Sequence, residues 1–205
     1  MKRRRAPESD SLRRRGPRRE PKPRILIVCE GRVTEPEYFR YLERSERIPI
    51  ELEIVPAGVP KAVVEKAANR KKHAAKSSDP NDRFDQVWCV FDIDEHPNVN
   101  EAKAQARANG IGLVISNPCI ELWLLLHFQD QRAAIHRRKV QKLCRNHMPG
   151  YEKGPPCEVL FAKYPDAEKR AADLNRWHET RGTSGANPST NVHDAVRAIR
   201  VAGRR

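Results

Sequence analysis

Ile25-Leu26-Ile27-Val28-Cys29-Glu30-Gly31 is the stretch that decides the fold. A short apolar, partly β-branched run closed by an acidic residue and a glycine reads as a buried strand that delivers a carboxylate into a tight turn. The pattern returns downstream, where Val87-Trp88-Cys89-Val90-Phe91 runs into Asp92-Ile93-Asp94-Glu95-His96. Two buried strands that each end in carboxylates predict one shared acidic pocket. In a chain of net charge +13, such a pocket suits a divalent cation facing a phosphate.

Working outward from the first strand, Pro36 sits where a first helical turn tolerates proline. Tyr38, Phe39, Tyr41 and Leu42 then recur at helical spacing to about residue 47. Thr34 or Glu35 is the expected cap of that helix. Residues 50–55 alternate as a second strand, and 58–76 read as a helix. That helix has Val59, Ala62, Val63, Ala67 and Ala68 inward, and Lys61, Lys66, Arg70, Lys71 and Lys72 outward. A third strand over 84–93, a helix over 101–109 with Gly110 as C-cap, and a fourth strand over 111–115 follow. Asn117-Pro118 reads as an N-cap and first helical residue for an almost wholly apolar helix over 118–128.

This alternation predicts an α/β fold: a doubly wound, mainly parallel sheet of about four strands flanked by helices, with functional groups at the carboxyl ends of the strands. Beyond residue 130 the pattern weakens into a basic helix over 132–147, a Gly/Pro loop over 150–157, a helix over 167–177, a loop over 181–189 and a short helix over 192–201. The expected organisation is an arm over 1–23, the α/β domain over 24–130, and a helical extension over 131–205 packed on it.

Composition bounds the partners. Residues 1–23 hold ten Lys/Arg against three Asp/Glu, a net +7, and the remainder of the chain carries +6. An arm with so little apolar surface is expected to be disordered, and its arginines point to polyanions, nucleic acid before anionic membrane. Arg3, Arg4, Arg5, Arg13, Arg14 and Arg15 on the arm are the expected nucleic-acid contacts, together with Lys61, Arg70, Lys71 and Lys72 on the second helix. A solubility tail is the plainer reading of the same arm. The apolar run after the arm is too short for a secretion signal, and no stretch has membrane-spanning length, so a cytoplasmic, soluble chain is expected. Five cysteines without a CxxC spacing argue against a disulfide framework or a zinc site.

Hard cations need only one to three carboxylates, because they keep several waters. Asp92 and Asp94 lie two apart, so in an extended segment both face one side. Glu30 joins them if its strand neighbours the third. Such a group supports phosphoryl transfer or phosphodiester hydrolysis, with Glu30 as general base or acid. Alone, an Asp-x-Asp equally fits a turn or a helix cap. His96 is either a ligand or leaving-group stabiliser, or a solvated turn residue. Glu121, within an apolar helix, either reaches the acidic site or pairs with an arginine. The chain contains no phosphate-loop, dinucleotide, H-E-x-x-H or nucleophile-elbow motif.

These residues resemble the RloB-like family, whose members are similar to Toprim-domain proteins and belong to phage-defence and abortive-infection loci. The resemblance rests on Ile25–Cys29 with Glu30-Gly31 and Thr34-Glu35-Pro36, on Phe91-Asp92-Ile93-Asp94, on Ser116-Asn117-Pro118 through Glu121-Leu122-Trp123 to Phe128, and on Asn187-Pro188-Ser189-Thr190. It implies a Toprim-like fold and a Mg²⁺- or Mn²⁺-dependent nuclease acting on DNA, RNA or a nucleotide, used in defence. Glu30 would then be general acid/base and ligand, with Asp92 and Asp94 chelating the metal. Gly31, Thr34, Glu35, His96, Asn117 and Glu121 would support them. The competing expectations are a non-catalytic nucleic-acid-binding or regulatory subunit beside a partner ATPase or nuclease, and a toxin that awaits a partner. Homo-oligomerisation stays open.

Overall fold

The computed structural model describes residues 22–47, 51–56, 58–93, 96, 99–152 and 154–204. In chain order these form β1 (Arg24–Cys29), α1 (Thr34–Ser45), β2 (Glu51–Pro56), α2 (Pro60–Ala75), β3 (Gln86–Asp92), α3 (Val99–Ala108), β4 (Gly112–Asn117) and α4 (Glu121–Leu126). There follow α5 (Arg137–His147), α6 (Cys157–Ala162), α7 (Tyr164–Glu179), β5 (Ser189–Thr190) and α8 (Val192–Ala202). The sheet order is β2-β1-β3-β4-β5, parallel except where β5 runs antiparallel to β4. It is an α/β, mainly parallel sheet with helices on both faces, consistent with a Toprim-like fold.

β1 occupies an interior position, and Ile25 through Cys29 are completely buried. Its residues alternate between two apolar layers, as the pleat requires. Ile25, Ile27 and Cys29 join Tyr38, Phe39 and Leu122–Leu126 on one face. Leu26 and Val28 join Val63, Val64, Ala67 and Ala102 on the other. Each fully buried Leu or Ile contributes about 1.5–3 kcal/mol, which is why the run tolerates no polar residue until Glu30. The first layer also takes in Ile135, Val140, Leu160, Leu174, Val196 and Ile199, so the chain beyond residue 130 shares the core of the α/β part.

Several local expectations are corrected. The described sheet has five strands, because Ser189 and Thr190 pair with Asn117 and Ser116. Asn117 is therefore the last residue of β4 and not a helix cap; its amide donates to the Gly185 carbonyl. Strand pairing claims it, and α4 begins four residues later, shorter than expected. Cys157, expected to close a loop, instead opens a further helix, α6, over Cys157–Ala162. Val59, expected inward, precedes α2 and is 54% exposed. Gly110 does take the left-handed conformation expected of it, at φ +58°. All five cysteines are free and buried, and no described helix is long and apolar enough to cross a membrane.

His127 follows α4 and is 1% exposed. Its Nδ1 donates to the Trp123 carbonyl at 2.9 Å, and its Nε2 is buried without a partner. Burial lowers its pKa from 6.5 to about 4. The unfolded chain thus takes up the proton first as pH falls, so this contribution is complete above pH 6.5 and is lost between 6.5 and about 4. The loss is about 3 kcal/mol. Denaturant unfolding at pH 7 and near pH 4 is expected to show His127→Phe losing less stability on acidification than the parent by roughly that amount; equal losses would contradict it.

Candidate functional site

The parallel register of β1 and β3 places Cys29 opposite Val90, and the Glu30 amide extends the ladder by donating to the Val90 carbonyl at 2.9 Å. The two strands therefore end at one edge. Glu30 Oε2 accepts the Asp92 amide at 3.1 Å, and Glu30 Oε1 lies 2.9 Å from His96 Nε2. One carboxylate thus closes the end of the neighbouring strand and anchors the turn that follows it.

Three further elements converge on this edge. Glu35, in the first turn of α1, is 5% exposed and accepts the Gly31 amide at 3.1 Å through Oε1. This is why residue 31 is glycine: a Cβ there would collide with the Glu35 carboxylate. Glu121 opens α4, and Gln141 of α5 donates to its Oε1 at 3.1 Å. Cys144 fastens the same two helices by donating to the Glu121 carbonyl. The result is a cavity of about 360 Å³ lined by Glu30, Glu35, Asp92, Glu121, Arg32, Arg137 and Gln141, with Gly31 and Thr34 in its wall.

The electrostatics follow from this crowding. Burial, then the charges of Glu35, Glu121 and Glu30, push Asp92 well above the usual carboxylate range, with Arg137 opposing them. Burial also raises Glu35, helped by Glu121 and Glu30 and countered by its backbone hydrogen bonds. Carboxylates held this close in a poorly solvated cavity favour a cation or a shared proton. An all-oxygen donor set fits a hard divalent ion that keeps waters. Among the described residues, however, no three His, Cys, Asp or Glu side chains are grouped to hold a metal unaided. Any ion held by Glu30 and Asp92 would need water, substrate or a further carboxylate.

A family model described as RloB-like protein matches residues 25–199. The chain belongs to the RloB-like family. No curated protein and no solved structure matches it significantly.

In this RloB-like chain, Glu30, Gly31, Thr34, Glu35, Asp92 and Glu121 come together at one cavity, with His96 bound to Glu30. Asp94 and the arm arginines Arg3, Arg4, Arg5, Arg13, Arg14 and Arg15 lie outside the described residues. Asn117 is placed in the β4–β5 pairing, away from the cavity lining. Neither Thr34 nor Glu35 caps α1: its N-cap is Val33, without a side-chain cap, because the Glu35 carboxylate turns back to Gly31. Three of the four α2 cations expected to bind nucleic acid are engaged within the fold. Lys61 pairs with Glu101 at 3.9 Å, Arg70 pairs with Glu53, and Lys71 donates to the Asn109 and Gly110 carbonyls. The acids of β2 and α3 sit beside that helix and take up its charge. Lys72 alone of the four stays exposed without such a partner.

Arg32, Arg137 and Gln141 are the polar lining residues that the sequence did not single out. For the last two the signal was a basic helical segment, but nothing local says that it abuts a site assembled from β1 and β3.

The Gly31–Glu35 contact is testable by stability. Gly31→Ala displaces a buried carboxylate from its amide donor and is expected to cost about 1–3 kcal/mol. Glu35→Gln keeps the acceptor and removes a crowded charge, so it should cost less. Denaturant unfolding of both variants checks the order.

Proposed function

We propose that this RloB-like protein is a cytoplasmic, metal-dependent phosphodiesterase that cleaves nucleic acid at the Glu30–Asp92 cavity. The observation that carries the reading is the pair of carboxylates at adjacent strand ends, joined by the 3.1 Å hydrogen bond from the Asp92 amide to Glu30, with Arg137 in the lining of the same cavity. Acids for a cation and a guanidinium for a phosphate in one cavity match what hydrolysis of a phosphodiester needs. Five free, buried cysteines suit a reducing compartment. A defence role beside a partner ATPase is the setting that the family resemblance suggests for this activity.

In this reading Glu30, Asp92 and Asp94 would hold Mg²⁺ or Mn²⁺, which would supply charge neutralisation on the phosphate and a lowered pKa for water. Arg137 binds a non-bridging phosphate oxygen. His96, with its proton on Nε2, orients Glu30 through Oε1. Glu30 accepts the proton of the attacking water as the water oxygen bonds to phosphorus. The bond from phosphorus to the departing sugar oxygen breaks, and that oxygen takes a proton from solvent.

Purified protein incubated with DNA and RNA in Mg²⁺ or Mn²⁺ is expected to cleave at least one of them, and to stop in EDTA. Glu30→Gln and Asp92→Ala should each lower the rate by about 10²–10⁴-fold. Cleavage that survives both substitutions and EDTA would exclude this centre.

One observation favours a second reading, a non-catalytic nucleic-acid-binding subunit. Both Glu30 oxygens are already engaged, by the Asp92 amide and by His96. Binding that ignores metal, without turnover on any substrate, would select it.

A further inference from the structure

Outside the arm the chain carries +6, and residues 131–147 alone hold six Lys/Arg with no Asp or Glu. The rest of residues 24–205 is therefore electroneutral, and the whole excess outside residues 1–23 is gathered on α5 and its approach. Several cations elsewhere in the fold are paired: Arg197 with Glu168, Arg200 with Glu46, Arg170 with Asp130, Arg70 with Glu53. On α5, Arg138, Lys142 and Arg145 are exposed, and among the described residues none of the three is in an ion pair. Three exposed cations on one helix, in a segment of the chain that holds no acid of its own, present a surface for an anion.

Its orientation gives that surface a direction. Val140 and Cys144 face the core, while Arg137 and Gln141 line the acidic cavity. At 100° per residue, Arg145, Arg138 and Lys142 follow Gln141 around the helix on its cavity side. The stripe from Arg138 to Arg145 is roughly 10 Å long, the length of about three stacked nucleotides of one strand. It begins beside Arg137, which with Arg32 is one of two arginines in the cavity lining.

We infer that the α5 stripe Arg138–Lys142–Arg145 is the backbone-binding surface that leads a nucleic-acid strand to the Glu30–Asp92 cavity, in place of the α2 face. The inference rests on the nucleic-acid reading proposed above and adds to it where the polymer lies. The contacts are phosphate contacts, so they carry affinity and register without base specificity.

The test is fluorescence-anisotropy titration of the full chain with labelled single-stranded DNA and RNA oligonucleotides in EDTA, over a series of salt concentrations. Replacing Arg138, Lys142 and Arg145 together by Ala is expected to weaken binding to whichever polymer is bound. It should also reduce the slope of log K against log salt by about 2–3. The comparator, Lys76→Ala with Arg83→Ala and Arg107→Ala, removes the same charge from exposed positions on the far side and should leave the slope near that of the parent. Arg138→Lys with Arg145→Lys keeps the charge and should restore most of the binding, which a folding defect would not allow. An α5 triple variant that binds like the parent, or a comparator that weakens binding as much, overturns the proposal. A parent chain that binds neither polymer overturns it together with the nucleic-acid reading. Binding that depends on α5 without any cleavage removes the hydrolytic reading and leaves this surface standing.

Discussion

Everything at the site depends on the parallel pairing of β1 with β3. Both strands are dry along most of their length, so a polar side chain first becomes affordable where the strand emerges from the sheet. Parallel neighbours emerge at the same edge. With Cys29 beside Val90, Glu30 and Asp92 leave the sheet within one hydrogen bond of each other. A shift of register would turn Asp92 towards the opposite apolar layer and separate the pair. The carboxylates are thus held by the same burial that stabilises the sheet, and their mutual repulsion is a cost that the core sustains.

That cost shapes the rest of the cavity. Glu35 is drawn into a backbone amide hydrogen bond at Gly31, and Glu121 into one from Gln141. Each bond satisfies an acid without adding a positive charge, so the cavity remains negative and Asp92 resists ionisation. Of the two arginines in its lining, Arg32 comes from the turn after β1 and Arg137 enters from α5, through the packing of α5 on α4. The segment beyond residue 130 therefore completes the wall of the cavity as well as the core beneath it.

An acidic cavity beside a basic helix also separates two tasks that would compete at one spot. Cation-binding carboxylates repel a phosphate backbone, and further arginines placed among them, beside Arg32 and Arg137, would neutralise them. Setting the unpaired cations on the outer face of α5 and the acids at the strand ends lets each attract its own partner. Screening at physiological salt acts over about 8 Å, so the exposed stripe and the recessed acids are only partly coupled.

Periodicity in the chain identified β1 to β4, the long helices and the acidic residues Glu30, Asp92 and Glu121, because each is reported by the burial of its own neighbours in sequence. It failed where a distant partner decided the outcome. Asn117 has the chemistry of a cap but is taken by β5, and Val59 has the character of a core residue but lies before the helix that would bury it. Lys61 and Arg70 of α2 looked free and are paired by acids from α3 and β2, whereas Arg138, Lys142 and Arg145 of α5 looked alike and, among the described residues, are in no ion pair. The amino-acid sequence by itself determined the strands, the carboxylates and the amount of charge. Which strands lie side by side, and so which acids meet and which cations stay unpaired, was decided by the tertiary structure alone, because alternation and helical spacing record that a residue is buried and not what it is buried against.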